Sequence, residues 1–333
     1  MSKISCGQLA ALLLIVDGFT LLCINGGVTI VTAAVFLGCT LIQLLLAMPA
    51  AAAYKNGKKI KDCPKPILWI YLLYILIWGG MLFVMLWNVS DILSIPSENI
   101  PFIPEKLLIS GLIAVVCLYA SSPGAKGLSR AAVIAGALGI VCAAVIIIGA
   151  ISEFKTEYLF AEARYSGIFD EIIRGFVLSG SAGSFIVLLG SVDGSAVKAA
   201  VGYFIARAVI WTAVLVTTVA VTGGIMKITD FPVAMAAELS QPFYSQRIDS
   251  LFLIVFAILA VFAIAAQTLS ASYLFSTIFP NFKEFRSTAA LLLMILAAFL
   301  VSSFKRYEIV CAAAVLIILL LMPLALKFSK EKK

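Results

Sequence analysis

Ten apolar runs divide this chain, at 8–25, 28–53, 66–91, 104–121, 129–152, 171–192, 196–223, 249–277, 287–304 and 307–327. Each is about the 20 residues that a helix needs to cross the hydrocarbon core of a bilayer. Lipid offers the backbone no partner, so a crossing segment closes its own hydrogen bonds as a helix or joins a closed barrel, and these runs lack the alternation of barrel strands. The sequence therefore predicts an all-α integral membrane protein with about ten transmembrane helices. A water-soluble fold is excluded on composition: 63% of the 333 residues are apolar, 12% are charged and the mean hydropathy is +1.13. Soluble domains reach only about 45–50% apolar and carry about 25% charged residues.

The net charge of +7 belongs to short loops between apolar runs, which is what a cytoplasmic membrane surface requires, so no nucleic-acid partner is inferred. The loop carrying Lys55, Lys58, Lys59, Lys61 and Lys65 marks the cytoplasmic side, where most of the 24 lysines and arginines then fall. Both termini are expected on that side, with a basic tail ending the chain. Lys3 precedes an apolar run that no small-residue cleavage site ends, so a first span is expected there and not a removed signal peptide.

The most polar stretch, 153–170, separates five spans in 1–152 from five in 171–333. Because five is odd, the second group enters the membrane in the opposite orientation, the layout of a 5+5 inverted-repeat transporter. The segment 227–247, with Pro232 and Pro242, is too polar to span and is expected on the outer face.

Two interruptions fall at matching depths. Span 1 carries Asp17-Gly18 and span 6 carries Gly180-Ser181-Ala182-Gly183-Ser184, each about ten residues in. Paired discontinuous helices build midplane sites, because freed amides take a carboxylate and freed carbonyls take a cation or ammonium. Asp17, Gly18, Gly180, Ser181, Gly183 and Ser184 are accordingly the candidate ligand-binding residues. The alternative for span 6 is a close helix crossing at small residues. A carboxylate at the midplane is costly unless it meets a cation, a proton or water. Arg207, a basic residue inside span 7, either pairs with Asp17, a phospholipid or a helix end, or snorkels to a surface. Gln267, Thr268, Ser270 and Ser272 of span 8 either complete an ion site or bond back to their own helix, the expectation for the two serines. Thr268 joins Asp17 and Arg207 as a candidate coupling residue. Span 5 has no charge in its apolar body to supply a resident cation.

Seven cysteines without CxxC spacing and no histidine argue against a metal site, a disulfide framework or a nucleophile–histidine pair, so catalysis is the least supported class and no cofactor is expected.

Four further stretches carry a resemblance. Ile4-Ser5-Cys6-Gly7-Gln8-Leu9 opens the chain, Tyr119 to Arg130 includes Gly124 and Arg130, Phe231-Pro232 begins a segment closing with Arg247-Ile248-Asp249, and Pro49 sits near the end of span 2. On these, and over nearly its whole length in span count and loop pattern, the chain resembles the B subunits of spore germinant receptors, within the amino acid/polyamine/organocation transporter superfamily. It departs from them at Lys126, where an acid is usual, and at Val255-Phe256, where a tryptophan is usual. The resemblance implies a transporter fold with an amino-acid-sized pocket around broken spans 1 and 6, and residence in a spore inner membrane beside A-type and C-type subunits. It also implies germinant sensing as the role, and gating or structural duties for Arg130, Pro232, Arg247 and Asp249. The alternatives are a proton- or cation-coupled amino acid transporter and a structural membrane subunit with a vestigial pocket.

Overall fold

The computed structural model describes residues 3–56, 60–93, 105–160, 167–178, 181–223, 231–239, 249–280, 285–304 and 307–328; of these, 91–93, 105, 249–252, 307, 322, 323, 327 and 328 are described by backbone alone. The described residues form ten helical spans, as the apolar runs predict: α1 (Cys6–Leu22), α2 (Ile30–Lys55), α3 (Lys65–Leu93), α4 (Glu105–Ser121), α5 (Gly124–Ala150), the pair α7 (Ile168–Val177) and α8 (Ala182–Leu189), α9 (Ala196–Thr222), α11 (Asp249–Ile278), α12 (Arg286–Ser302) and α13 (Tyr307–Phe328). Two short helices lie between spans, α6 (Glu157–Phe160) and α10 (Pro232–Leu239). Seven of the spanning segments are long and apolar enough to cross a membrane; α1, α4 and α12 are shorter apolar helices.

Local chemistry sets the ends. Ser5 with Gln8 and Thr29 with Thr32 form reciprocal caps that satisfy the first free amides of α1 and α2. Gly124, at φ +73°, makes the turn from α4 into α5 in a backbone region that side chains rarely enter. Helix α5 thus starts at the turn itself, five residues before the apolar run that announces it.

Writing α1, α2, α3, α4, α5, α7–α8, α9, α11, α12 and α13 as spans 1 to 10, exchange of each span with the one five further on carries most of the packing onto itself. Helix α1 packs on α9 and α2 packs on α7; α1 packs on α11 and α3 on α8; α4 packs on α11 and α12 on α3; α1 packs on α5 and α13 on α7. The two central pairs, α2 with α9 and α3 with α11, map onto themselves. That is the contact pattern of a 5+5 inverted repeat. The clearest difference between the halves is that α13 lies along α2, whereas an apolar cavity of about 460 Å³ opens between α5 and α9, lined also by α1, α10 and α11.

Small residues and buried hydroxyls hold the bundle, as expected where lipid supplies no hydrophobic drive between helices. A Cβ on Gly80 would lie 2.7 Å from the Ala298 amide of α12, so only glycine permits that approach. Tyr71 donates to the Ile318 carbonyl of α13 at 3.0 Å, and Tyr54 to the Ile186 carbonyl of α8 at 3.0 Å. The outside carries Leu45, Leu73, Leu112, Ile134, Leu292 and Phe299, exposed apolar side chains in keeping with a lipid surround.

Candidate functional site

Helix α7 ends at Val177 and α8 begins at Ala182, so span 6 is interrupted where its glycines and serines fall. Gly180 lies outside the described residues. Span 1 differs from expectation: α1 runs unbroken from Cys6 to Leu22 through Asp17-Gly18. Gly18 serves close packing instead of unwinding, because a Cβ there would lie 2.7 Å from Cη2 and Cζ2 of the Trp211 indole. Among the described residues the sixth span alone is broken, and α1 meets the break through side chains.

Asp17 is the centre of that meeting. It is 1% exposed, and its Oδ2 lies 3.4 Å from Arg207 Nε, with Arg207 fully buried. Of the partners open to Arg207, the structure places Asp17 beside it. Tyr203, one turn before Arg207 on α9, donates its hydroxyl to the same Oδ2 at 2.5 Å, leaving its oxygen to accept from Ser181 Oγ at 2.5 Å. The Thr20 hydroxyl lies 2.8 Å from the Asp17 carbonyl and 3.1 Å from the Leu178 carbonyl, where α7 ends. One proton thus serves two carbonyls. On its far side Arg207 donates from Nη1 to Gln43 Oε1 at 2.7 Å and stands 5.2 Å from the Phe36 ring centroid. Asp17 Oδ1, Arg207 Nη2 and Gln43 Nε2 are buried and have no hydrogen-bond partner among the described residues. Burying such groups unpaired costs free energy.

A second set of polar groups lies on the α3 and α11 side of α8. Ser184 donates to Gln267 Oε1 at 2.6 Å. Gly183 lies against Tyr74, leaving no room for a Cβ, and the Tyr74 ring stacks on Trp78 with centroids 6.5 Å apart. Trp78 Nε1 and Gln267 Nε2 lack hydrogen-bond partners among the described residues. The structure therefore brings Asp17, Ser181, Gly183, Ser184 and Arg207 together around one break, while Gly18 packs against Trp211 of α9.

Other candidates stand apart. The Thr268 hydroxyl turns back to the Ile264 carbonyl at 2.9 Å, so Gln267 is the span 8 side chain that reaches α8. Ser270 bonds back to Ala266, as expected, whereas Ser272 pairs with Ser287 of α12 at 3.0 Å. Arg130 is exposed near the start of α5, and Pro232 is buried at the start of α10. Arg247 lies outside the described residues, and Asp249 opens α11 with only its backbone described. Sequence reasoning missed Gln43, Tyr74, Trp78, Tyr203 and Trp211. A signal existed for Tyr203, which precedes Arg207 by four residues and so shares its helix face, and for Gln43, a lone amide in an apolar run.

No model of a known protein family matches the chain, and no curated protein sequence matches it. Among solved structures the chain is similar to Mhp1, a nucleobase-cation-symport-1 family transporter, in a closed conformation with bromovinylhydantoin bound; the two share 16% identity at a TM-score of 0.65, over 97% of this chain and 78% of that one. At that identity the likeness is one of fold, and the fold is that of a membrane transporter.

Proposed function

We propose that this chain is a secondary transporter that binds a small polar solute, foremost an amino acid, at the break of span 6 and carries it by alternating access. One observation supports this above the rest: in a transporter fold, a buried acid and a buried base meet beside an interrupted helix, with polar atoms on both unpartnered among the described residues. A solute that presents donors and acceptors, as a zwitterion or a ring amide does, complements such a set. In this reading 1–152 and 171–333 are the two moving repeats and both termini face the cytoplasm.

The test is counterflow in sealed proteoliposomes with a labelled panel of amino acids, hydantoins and nucleobases. Saturable counterflow that Gly183→Leu abolishes is the expected result; absence of both binding and flux across the panel overturns the reading and leaves a structural subunit. A second reading is favoured by the stretches Ile4 to Leu9, Tyr119 to Arg130 and Phe231-Pro232: a sensing subunit similar to spore germinant receptor B subunits, working with A-type and C-type partners. Binding without counterflow is its signature.

A further inference from the structure

We propose that Arg207 is the resident counter-cation of Asp17, and that this carboxylate takes up no exchangeable alkali cation, so that solute binding by this chain is independent of sodium. The functional meaning of this rests on the transport reading, because it concerns the same cluster; its test reads cation binding alone.

The geometry carries the inference. An alkali cation beside Asp17 would need several oxygens as ligands, and of the two carboxylate oxygens only Oδ1 is without a partner among the described residues. Oδ2 already accepts the Tyr203 proton and lies 3.4 Å from Arg207 Nε. The Tyr203 and Ser181 hydroxyls form a chain that points its protons towards the acid.

Charge leads to the same result. A second unit of positive charge within a few ångströms of the guanidinium, in a low-dielectric interior, is strongly repelled. Arg207 has no easy retreat, because Gln43 Oε1 holds its Nη1 at 2.7 Å, the Phe36 ring lies against it, and it is fully buried. Without the pair, Asp17 would be an isolated charge in a membrane interior, a state that calls for a counter-ion. The sequence puts no cation in the body of span 5, and α9 supplies it.

The experiment is thermal unfolding of the purified chain in detergent, titrated with sodium chloride against choline chloride at equal ionic strength. The melting temperature of the wild type is expected to be the same in both salts. In Arg207→Gln the midpoint falls in choline and rises with sodium along a saturable curve, by about 2 °C or more, and adding Asp17→Asn removes the sodium response and recovers part of the loss. Saturable stabilisation of the wild type by sodium that Asp17→Asn abolishes overturns the proposal. So does an Arg207→Gln protein that melts like the wild type in both salts. The wild-type titration decides the matter even where Arg207→Gln does not fold. A chain that moves no solute in proteoliposomes leaves this result standing, so the two readings fail separately.

Discussion

Replacing Gly183 by alanine is expected to destabilise the protein through one identifiable collision. The new Cβ would lie 2.7 Å from Tyr74 Cδ1, where ordinary contact is 3.4–4 Å, and nearer still to Cε1. The ring cannot swing into solvent, because Tyr74 is 4% exposed and stacks on Trp78, itself 1% exposed. Either the ring leaves the stack or α8 moves away from α3. Forcing one extra methyl into a filled interior costs about 1–3 kcal/mol. The backbone of Gly183 is helical within α8, so the cost is steric and a smaller neighbour relieves it. The assay is thermal unfolding in detergent of Gly183→Ala, Tyr74→Leu and the double variant. The expected result is a double variant well above the sum of the two single losses, with a coupling of at least 0.5 kcal/mol in magnitude, the lower end seen for residues in contact. Strict additivity, or a Gly183→Ala protein as stable as the wild type, would refute the reasoning.

Three further outcomes are expected. In a variant retaining Cys63 as its sole cysteine, maleimide labelling is slow at pH 8 and accelerates about tenfold per pH unit towards pH 10, because burial and then the neighbouring Asp62 push this thiol up to about 11 and only the thiolate reacts. Asp62→Asn removes the raising charge and speeds labelling at fixed pH, and a rate already flat above pH 9 sinks the account. Tyr71→Phe deletes the 3.0 Å bond to the Ile318 carbonyl and is expected to lower stability in a detergent melt by about 0.5–1.5 kcal/mol; no change would mean that α3 and α13 are held by packing alone. Gly202→Ala meets no atom within 4 Å on α9 and is expected to gain about 0.5–1 kcal/mol, so a loss in the same melt counts against the exposed placement of that face.

The ten spans were legible because lipid leaves the backbone one local solution, so hydropathy alone locates them. The opposite orientation of the two halves follows from an odd number of spans per half, and the exchange symmetry of the packing agrees with it. What composition cannot tell is the use made of a glycine. Gly18 and Gly183 read alike in the sequence, each beside a polar residue at mid-span, yet one admits the Trp211 indole to an unbroken helix and the other admits the Tyr74 ring next to a broken one. The difference lies in which large side chain arrives from another span, through contacts far apart in sequence. Tyr74, Trp78 and Trp211 were invisible for the same reason, since an aromatic residue in an apolar run reads as core until its polar atom is found without a partner among the described residues.

Charge behaves differently, because its cost is paid wherever it is buried. Asp17 and Arg207 stood out in the sequence as groups that a membrane interior does not tolerate singly, and the structure places them 3.4 Å apart. Each of these charges accounts for the presence of the other, but their pairing does not by itself account for Asp17 Oδ1, Arg207 Nη2 and Gln43 Nε2, which a purely structural ion pair would be expected to satisfy. A pair retained for stability alone is readily replaced by apolar side chains of similar volume, often without loss. Replacing Asp17, Arg207 and Gln43 together by leucine or methionine therefore separates the two roles. If the cluster is structural, the triple variant melts no lower than the wild type and keeps its counterflow. If it is the solute site, the variant keeps its melting temperature and loses counterflow for every member of the panel. Retention of both stability and flux would remove Asp17 from the site.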